Sequence, residues 1–411
     1  MNLGVSDKVR PLLDAVSKML EEKVYPVEEE FESEIGRHPQ GRFHHTDRQL
    51  EILANLKAEA KARGLWNFWL TDSERGYGLN TVEYAYLAAE MGKSKLGPET
   101  FNCSAPDTGN MEVLERYGTE KMKKDWLEPL MEGKIRSAYL MTEPNVASSD
   151  ATNISMSCVP DGDDYVLNGE KWWASGAGDP RCKVYIVMVA TDPHNENKHR
   201  RHSMVVVPAG TKGVEILRPM QVFGNDDAPH GHMHMRFTDV RIPKENLILG
   251  LGRGFEVSQG RLGPGRIHHA MRAIGQAERA LELMCRRSLS RTAFGKPLAQ
   301  LGANHDIIAE CRMEIDMARL LCLQTCYMMD TIGNKAAAPW ISKIKVIAPR
   351  VSLKVIDEAI QMHGAMGISQ DTHLADAWTH QRTLRLADGP DAVHRRVIAR
   401  DELRKYTNAP V

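Results

Sequence analysis

The chain is poor in several things, and each shortage excludes a class of protein. Aromatic residues make up only 6% of its 411 positions. Net charge is close to absent, with 53 Lys and Arg against 54 Asp and Glu. That balance offers no electrostatic footprint for nucleic acid or an anionic membrane. Seven cysteines, at 103, 158, 182, 285, 311, 322 and 326, form no CxxC pair, and their number is odd. A disulfide framework or a zinc site is not expected, and a reducing, cytoplasmic setting fits best. No apolar run approaches the roughly 18 residues of a membrane-spanning helix, and the N-terminus lacks a signal-like apolar core. Nucleotide loops are missing too. Gly250-Leu-Gly252-Arg-Gly254-Phe255 lacks the last glycine of GxGxxG and follows no βαβ strand, so it reads as an inter-domain loop. There is no Walker A, HExxH or GxSxG sequence.

What is present is an ordinary globular mixture, 42% hydrophobic and 26% charged, and long enough for two to three domains at roughly 150 residues each. Twenty-one methionines suit helical cores and adaptable pockets. The periodicity divides the chain into three zones. Residues 1–136 read as helical: Val9, Leu12, Leu13, Val16 and Leu20 keep helical spacing, as do Leu50, Leu53, Leu56 and Ala60. Thr81 looks like a helix cap. Residues 137–245 change period. Val184–Ala190 and Ser203–Val207 are β-branched runs, and Asp161-Gly162 is a hairpin signal between Ser155–Val159 and Tyr165–Leu167. His232–Phe237 alternates like a strand. A small antiparallel β domain is expected. Residues 246–411 return to helices, over 266–290, 303–332, 336–363 and 392–405. The fold class is mixed α+β: an N-terminal helical domain, a central β domain and a C-terminal helical bundle.

His230, His232 and His234 share one face if they lie on a strand. The plain reading, a polar strand face, outweighs a metal site because no carboxylate or cysteine completes a ligand set. His268 and His269 read as helix surface, and Cys322 and Cys326 as helix core. Tyr139-Leu-Met-Thr-Glu-Pro-Asn-Val-Ala-Ser-Ser-Asp150 is more informative. It gathers hydroxyls, a carboxylate and a proline at a helix-to-strand junction, where ligand pockets form. Lys171-Trp-Trp-Ala-Ser-Gly176 adds aromatic rings and a hydroxyl. Together they suit a flat aromatic ligand with hydrogen-bonding edges, and a flavin is the natural candidate.

These segments resemble the signatures of the acyl-CoA dehydrogenase family. Residues 139–150 resemble its Thr-Glu-Pro…Ala-Gly-Ser-Asp segment, with Ser148 in place of the glycine. Trp173 and Ser175 match its tryptophan and its Ser/Thr beside the flavin. Phe237–Pro243 matches the exit from its β domain, and Arg291-Thr-Ala-Phe294-Gly its Arg-x-x-Phe-Gly. Gln361–Gly367 resembles its Gln-x-x-Gly-Gly-x-Gly loop, with Ala365 for the second glycine. Asp388-Gly389 falls where the family has Glu-Gly. The run 384–391, with 263–269, is most similar to the family member 10/11 subgroup. Larger relatives there carry a kinase-like domain that this chain is not expected to contain.

The resemblance implies FAD as cofactor. It implies Tyr139, Met141, Thr142, Trp173 and Ser175 around the flavin ring. It implies Arg291 and Phe294 on the cofactor of a neighbouring subunit, and Gln361 and Gly364 on its pyrophosphate. Ser149, Arg266 and Gly389 belong to the acyl-CoA side. Asp388 is the expected base; the other position some members use for a base is Gly265 here. Asp391, directly before a helical run, is the better capping residue, which leaves Asp388 for chemistry. The α-proton of a thioester needs a positioned base, and a carboxylate in a dry pocket can take it. The expected reaction is α,β-dehydrogenation of a fatty acyl-CoA to the trans-2-enoyl-CoA, within fatty-acid β-oxidation, with long-chain or hydroxyacyl substrates in view. Electron-transfer flavoprotein is the implied acceptor and a homodimer or homotetramer the implied assembly. Departures include Gly302 and Pro390 at positions where the family has Gln and Thr. Two rivals remain at this point. One is a flavin oxidase of the nitroalkane oxidase type with the same Asp; the other is a catalytically silent scaffold.

Overall fold

The structure is a computed structural model that describes residues 2–70 and 75–407. Helices α1 (Arg10–Met19), α2 (Tyr25–Ser33), α3 (Asp47–Ala62), α4 (Thr81–Met91) and α5 (Asp107–Tyr117) come first, with short helical turns between them. Eight strands follow: β1 (Arg136–Leu140), β2 (Ser157–Asp161), β3 (Asp164–Ser175), β4 (Cys182–Ala190), β5 (His202–Pro208), β6 (Val214–Pro219), β7 (His232–Pro243) and β8 (Leu247–Ile248). Then come α6 (Gly254–Ser290), α7 (Asn304–Ala336), α8 (Ala338–His363), α9 (Leu374–Thr383) and α10 (Asp391–Leu403). The helix–strand–helix order and the mixed α+β class are as the sequence implied. Among the described residues, no helix is long and apolar enough to cross a membrane.

Two compact units form. One comprises residues 1–26, 63–101 and 263–411; the other comprises 27–62 and 102–262. In the second, the strands lie in the order β6-β7-β3-β2-β4-β5-β8, with β1 beside β4. The hairpin at Asp161-Gly162 forms as its turn chemistry requires, and Gly162 takes φ +60°. The sheet is not purely antiparallel: β1 runs parallel to β4, and β2 touches β4 in parallel at Ser157–Ala190. Hairpin signals specify only neighbours in sequence, so pairings between distant strands are not legible. Its core includes Leu140, Met156, Leu167, Val187, Val205, Met235 and Phe237, all buried.

The helical unit is assembled around Tyr84 and Leu87 of α4, Ile267 and Met271 of α6, Ile315 and Cys322 of α7, and Ile344 and Val355 of α8. Helix α4 is capped by Asn80 rather than by Thr81, its first residue. Asn80 accepts from the Glu83 backbone N–H while Glu83 reaches back to Asn80, a reciprocal capping box. Helix α6 starts at Gly254, twelve residues before the expected Arg266, and contains Pro264. Gly260, Gly263, Pro264 and Gly265 all disfavour helix. Burial of Val257, Leu262 and Ile267 overrides them, so the segment read as a loop ends at Gly254.

Two glycines let α6 approach α4 closely. A Cβ on Gly275 would lie 1.9 Å from the Ala89 carbonyl oxygen, and one on Gly92 would lie 2.6 Å from the Arg272 Cα. Backbone cannot yield as a side-chain tip can, so a larger residue must push the helices apart. Gly275→Val is expected to destabilise the protein by about 2–4 kcal/mol, read as a lower denaturant midpoint. An unchanged midpoint would mean the helices part freely.

Candidate active site

Strand β1 ends at Leu140 and the chain enters the Met141–Asp150 loop. Its most buried charge is Glu143, 3% exposed. The Glu143 carboxylate accepts from the backbone N–H groups of Ser155 (2.8 Å) and Met156 (2.9 Å), and from the Ser155 hydroxyl (2.7 Å). The Lys171 ammonium, wholly buried, donates to Glu143 at 2.8 Å and to the Met141 carbonyl at 3.1 Å. Burial pushes Lys171 down to about 8 against the pull of Glu143. Burial alone would raise Glu143, but Lys171, Ser155 and Met156 hold it below the usual carboxylate value. The loop is thus tied to the middle of β3. Ser148, at the family's glycine, accepts from the Glu143 N–H at 2.8 Å. Asp150 caps the following turn through Thr152. Ser149 is exposed.

Two residues after Lys171, strand β3 bulges. Its register against β7 shifts between Lys171 and Ala174, and Trp173 sits at φ +54° with its ring partly exposed. A bulge re-aims a side chain at the cost of local backbone strain. The Thr142 carbonyl accepts from the Trp172 N–H at 3.0 Å. Ser175 closes the strand, its hydroxyl 2.8 Å from His232 Nδ1. His232 Nε2 faces the Asp227 carboxylate at 3.5 Å. Tyr139 lies under the Arg261 guanidinium, 3.8 Å from the ring centroid, and Met141 Sδ lies 3.7 Å from the Ser258 hydroxyl. Tyr139, Met141, Thr142, Trp173 and Ser175 are thereby gathered around one bulge and one loop.

The three histidines separate by partner. His232 faces Ser175 and Asp227, His234 binds Glu170 at 2.9 Å, and His230 lies ahead of the strand, where burial lowers its pKa. No cluster suited to a metal exists among the described residues.

In the helical unit, Asp388 occupies a tight turn, at φ +53°, followed by Gly389 at φ +101°. Its backbone carbonyl accepts from Arg266 Nε at 2.9 Å and faces His394 Nε2 at 3.3 Å. His394 is neutral, pushed down to about 4 by burial and by Arg266, and its Nδ1 meets the Ser342 hydroxyl at 3.1 Å. The Asp388 carboxylate is 18% exposed, with Oδ2 3.4 Å from His269 Nε2. A Cβ on Gly265 would lie 3.7 Å from the same Oδ2, so the two positions at which the family resemblance offers a base are neighbours. Asp388 caps no helix. Neither does Asp391, contrary to expectation: it is the first residue of α10, Pro390 is the cap position, and the Asp391 carboxylate is held by Arg385 at 2.7–2.8 Å. The reading of His268 and His269 as helix surface is also corrected. His268 is 4% exposed and stacks edgewise on Tyr84, while His269 turns inward to Asp388. Both lie within the helix expected over 266–290, but helical spacing alone does not tell which of its faces are covered by other helices.

The remaining expected residues cluster elsewhere in this unit. Arg291 ends α6, and a two-residue turn, Phe294-Gly295, joins the short strands Thr292–Ala293 and Lys296–Pro297. Both turn residues have positive φ, and Phe294 is 96% exposed. Gln361 is exposed on the last turn of α8, and Gly364, at φ +65°, ends that helix with open space around it. Gly367 is obligatory, since its Cβ would meet the Ile360 carbonyl at 2.6 Å. Each unit by itself carries features that suit a flavin nucleotide: a partly uncovered Trp173 ring in the sheet unit and, in the helical unit, an exposed Phe294 ring and open space at Gly364. Sequence reasoning missed Lys171 as a brace and His269, Lys345 and His394 around Asp388. Lys171 did carry a signal. It stands in the inward phase of β3 with Tyr165 and Leu167, where a charge requires a partner.

The family is shown by comparison with known proteins. The acyl-CoA dehydrogenase N-terminal, middle and C-terminal domain models match residues 6–134, 138–240 and 252–403. The chain belongs to the acyl-CoA dehydrogenase family of flavin-dependent oxidoreductases, whose cofactor is FAD. Among its relatives, acyl-CoA dehydrogenase family member 11 of Gallus gallus is 51% identical over 97% of this chain and 51% of its own length. Family member 10 of Mus musculus is 52% identical over 98% of this chain and 38% of its own. The chain thus spans about half the length, or less, of these relatives. FadE2 of Mycobacterium tuberculosis, assigned as an acyl-CoA dehydrogenase, is 49% identical over 98% of this chain and 97% of its own. A solved structure from Mycobacterium abscessus with the same assignment is 50% identical, with TM-score 0.93 over 98% of this chain and all of that one.

Two predictions follow from the buried groups. Lys171→Met leaves Glu143 charged and uncompensated, and should cost about 3–5 kcal/mol. Adding Glu143→Gln to it should recover part of that loss in denaturant titrations; simple additivity of the two single variants would refute the pairing. Burial also lowers the pKa of His202, His230, His269 (to about 3) and His394 (to about 4). The unfolded chain, with histidines near 6.5, then binds more protons than the folded one. Stability should therefore decline as pH falls from about 6.5 toward 4, with proton uptake on unfolding measured by calorimetry in buffers of different ionisation heat. Zero uptake at pH 5.5 would contradict it.

Proposed function

We propose that this chain catalyses FAD-dependent α,β-dehydrogenation of a fatty acyl-CoA thioester, with Asp388 as the base that takes the α-proton. The observation that carries this reading is the placement of Asp388. Its backbone is pinned by Arg266, its carboxylate is partly exposed, it caps no helix, and it adjoins position 265. A base must be positioned before its pKa matters, and here the turn and the carbonyl contacts do the positioning. Gly389, next in the chain, has a backbone N–H suited to the thioester carbonyl, where enolate-like charge develops. Its Cβ would approach His394 Nε2 at 3.0 Å, so glycine keeps the turn tight. Arg266 and Ser149 are assigned to the CoA thioester. Tyr139, Met141, Thr142, Trp173 and Ser175 orient the flavin ring. Bound FAD supplies the acceptor for the β-hydrogen as hydride.

Arg291 and Phe294, with Gln361 and Gly364, are assigned to the nucleotide part of FAD. An almost wholly exposed phenylalanine at a strained turn tip supports a site shared between copies in a homodimer or homotetramer. Electron-transfer flavoprotein as acceptor and a role in fatty-acid β-oxidation belong to the same reading. Seven free thiols suit a reducing compartment such as the cytoplasm.

Asp388→Asn should retain the flavin absorbance band and lose at least about a hundredfold in the rate of anaerobic flavin bleaching by acyl-CoA. A panel from short to very long and hydroxylated acyl-CoA, with a nitroalkane arm, defines the substrate. Bleaching by nitroalkane alone would overturn the reading, as would a surviving rate in Asp388→Asn.

A further inference from the structure

The surroundings of Asp388 hold a histidine whose tautomer can be deduced. His269 is on α6, one turn beyond Gly265. Its Nδ1 lies 3.3 Å from Arg272 Nη2, and its Nε2 lies 3.4 Å from Asp388 Oδ2. A guanidinium only donates, so Nδ1 is an acceptor. The ring is neutral: burial first, then Arg272, holds its pKa down at about 3. A neutral imidazole with Nδ1 accepting carries its proton on Nε2, the nitrogen on the carboxylate side. We propose that His269 is a positioning residue for the base, a neutral Nε2–H donor that fixes the Asp388 carboxylate through Oδ2 and favours its ionised form. The proposal rests on the reading of Asp388 as base.

Three features make this more than a nearby ring. The ring is held from behind by Arg272, one helical turn along α6, so both side chains stand on one rigid element. A neutral donor stabilises the carboxylate without neutralising it, whereas an imidazolium would form a strong pair that opposes proton uptake. The approach is to Oδ2, the oxygen that also faces position 265. Other charges bear on the same spot. Arg266 of α6 contacts the Asp388 backbone. Lys345 of α8, bonded to the Leu384 carbonyl and pushed down to about 8 by burial, acts on Asp388 through space. His380 of α9 acts on His269, while Asp391 and His394 of α10 flank the turn. Arg272 and Lys345 also disfavour a proton on His269, and this keeps the ring in its donor form.

The test is the pH dependence of flavin reduction by acyl-CoA in the holoenzyme, with three variants. His269→Phe removes the donor and keeps the bulk. The acid limb of its reduction rate should move up by about one pH unit, a tenfold change in the protonation equilibrium, while FAD content and acyl-CoA binding stay within twofold. His269→Gln, which restores an N–H, should return the limb toward that of the unaltered protein. Nitrogen NMR of the labelled protein should show His269 as the neutral Nε2–H tautomer at pH 7, a readout independent of turnover. An unmoved acid limb in His269→Phe, or an Nδ1–H tautomer, overturns the proposal. Asp388→Asn is the control for the underlying reading. If it still bleaches flavin, the assignment of the base fails; if it does not, while His269→Phe behaves like the unaltered protein, only the role of His269 fails.

Discussion

The β-sheet unit depends on one buried ion pair. Lys171 and Glu143 are out of water, and neither could be so alone, because an uncompensated buried charge costs several kcal/mol. Together they satisfy each other and three further donors, and through the Met141 carbonyl they tie an irregular loop to a regular strand. Loop 141–150 has no periodic structure of its own to hold it. Its placement comes from Glu143 inside and Ser148 behind it. The bulge that turns Trp173 outward begins at Lys171, so the anchor of the loop and the origin of the bulge are one residue. Residues assigned to the flavin inherit their positions from that anchor.

The helical unit solves a comparable problem with neutral groups. Around Asp388 stand Arg266, Lys345, His269 and His394, a potential excess of positive charge. Burial discharges both histidines, and it pulls Lys345 toward neutrality. The two imidazoles then bear on Asp388 as neutral rings and not as cations. His394 meets the Asp388 backbone and His269 its side chain. A carboxylate surrounded by fixed full charges would be locked ionised. One held mainly by dipoles can still accept a proton.

Much of the fold was legible in the sequence because its signals are local. Helical spacing in α1 and α3, the hairpin at Gly162 and the alternation of β7 each follow from neighbouring residues. The misreadings share one cause, which is tertiary contact overriding local preference. Helix α6 continues through three glycines and a proline because its buried face outweighs their propensities. The parallel pairings of β1 and β2 with β4 join strands far apart in sequence. Asp391 was drawn from capping to ion pairing by Arg385. At the candidate site, motif positions named the residues but not what holds them. Lys171 stands beside two tryptophans that draw attention from it, and its own inward phase is the clue. His269 had no such clue, because the contact that defines it crosses more than a hundred residues.

The adjacency of positions 265 and 388 explains a feature that the sequence only hinted at. The two positions that the family resemblance offers for a base lie far apart in the chain, and here they come within van der Waals reach. A carboxylate at both would put two like charges into one partly buried space, and one of them would have to stay protonated. Glycine at 265 therefore complements an acid at 388. The shorter Asp suits this arrangement for a backbone reason as well. Position 388 has left-handed φ, which Asp tolerates better than most residues because its short side chain bonds locally. The same short reach keeps Oδ2 beside His269 and its donor proton. Losing a methylene relative to the family's Glu is thus coupled to the turn, to the glycine opposite and to the histidine beside it. The four positions are best understood as one unit.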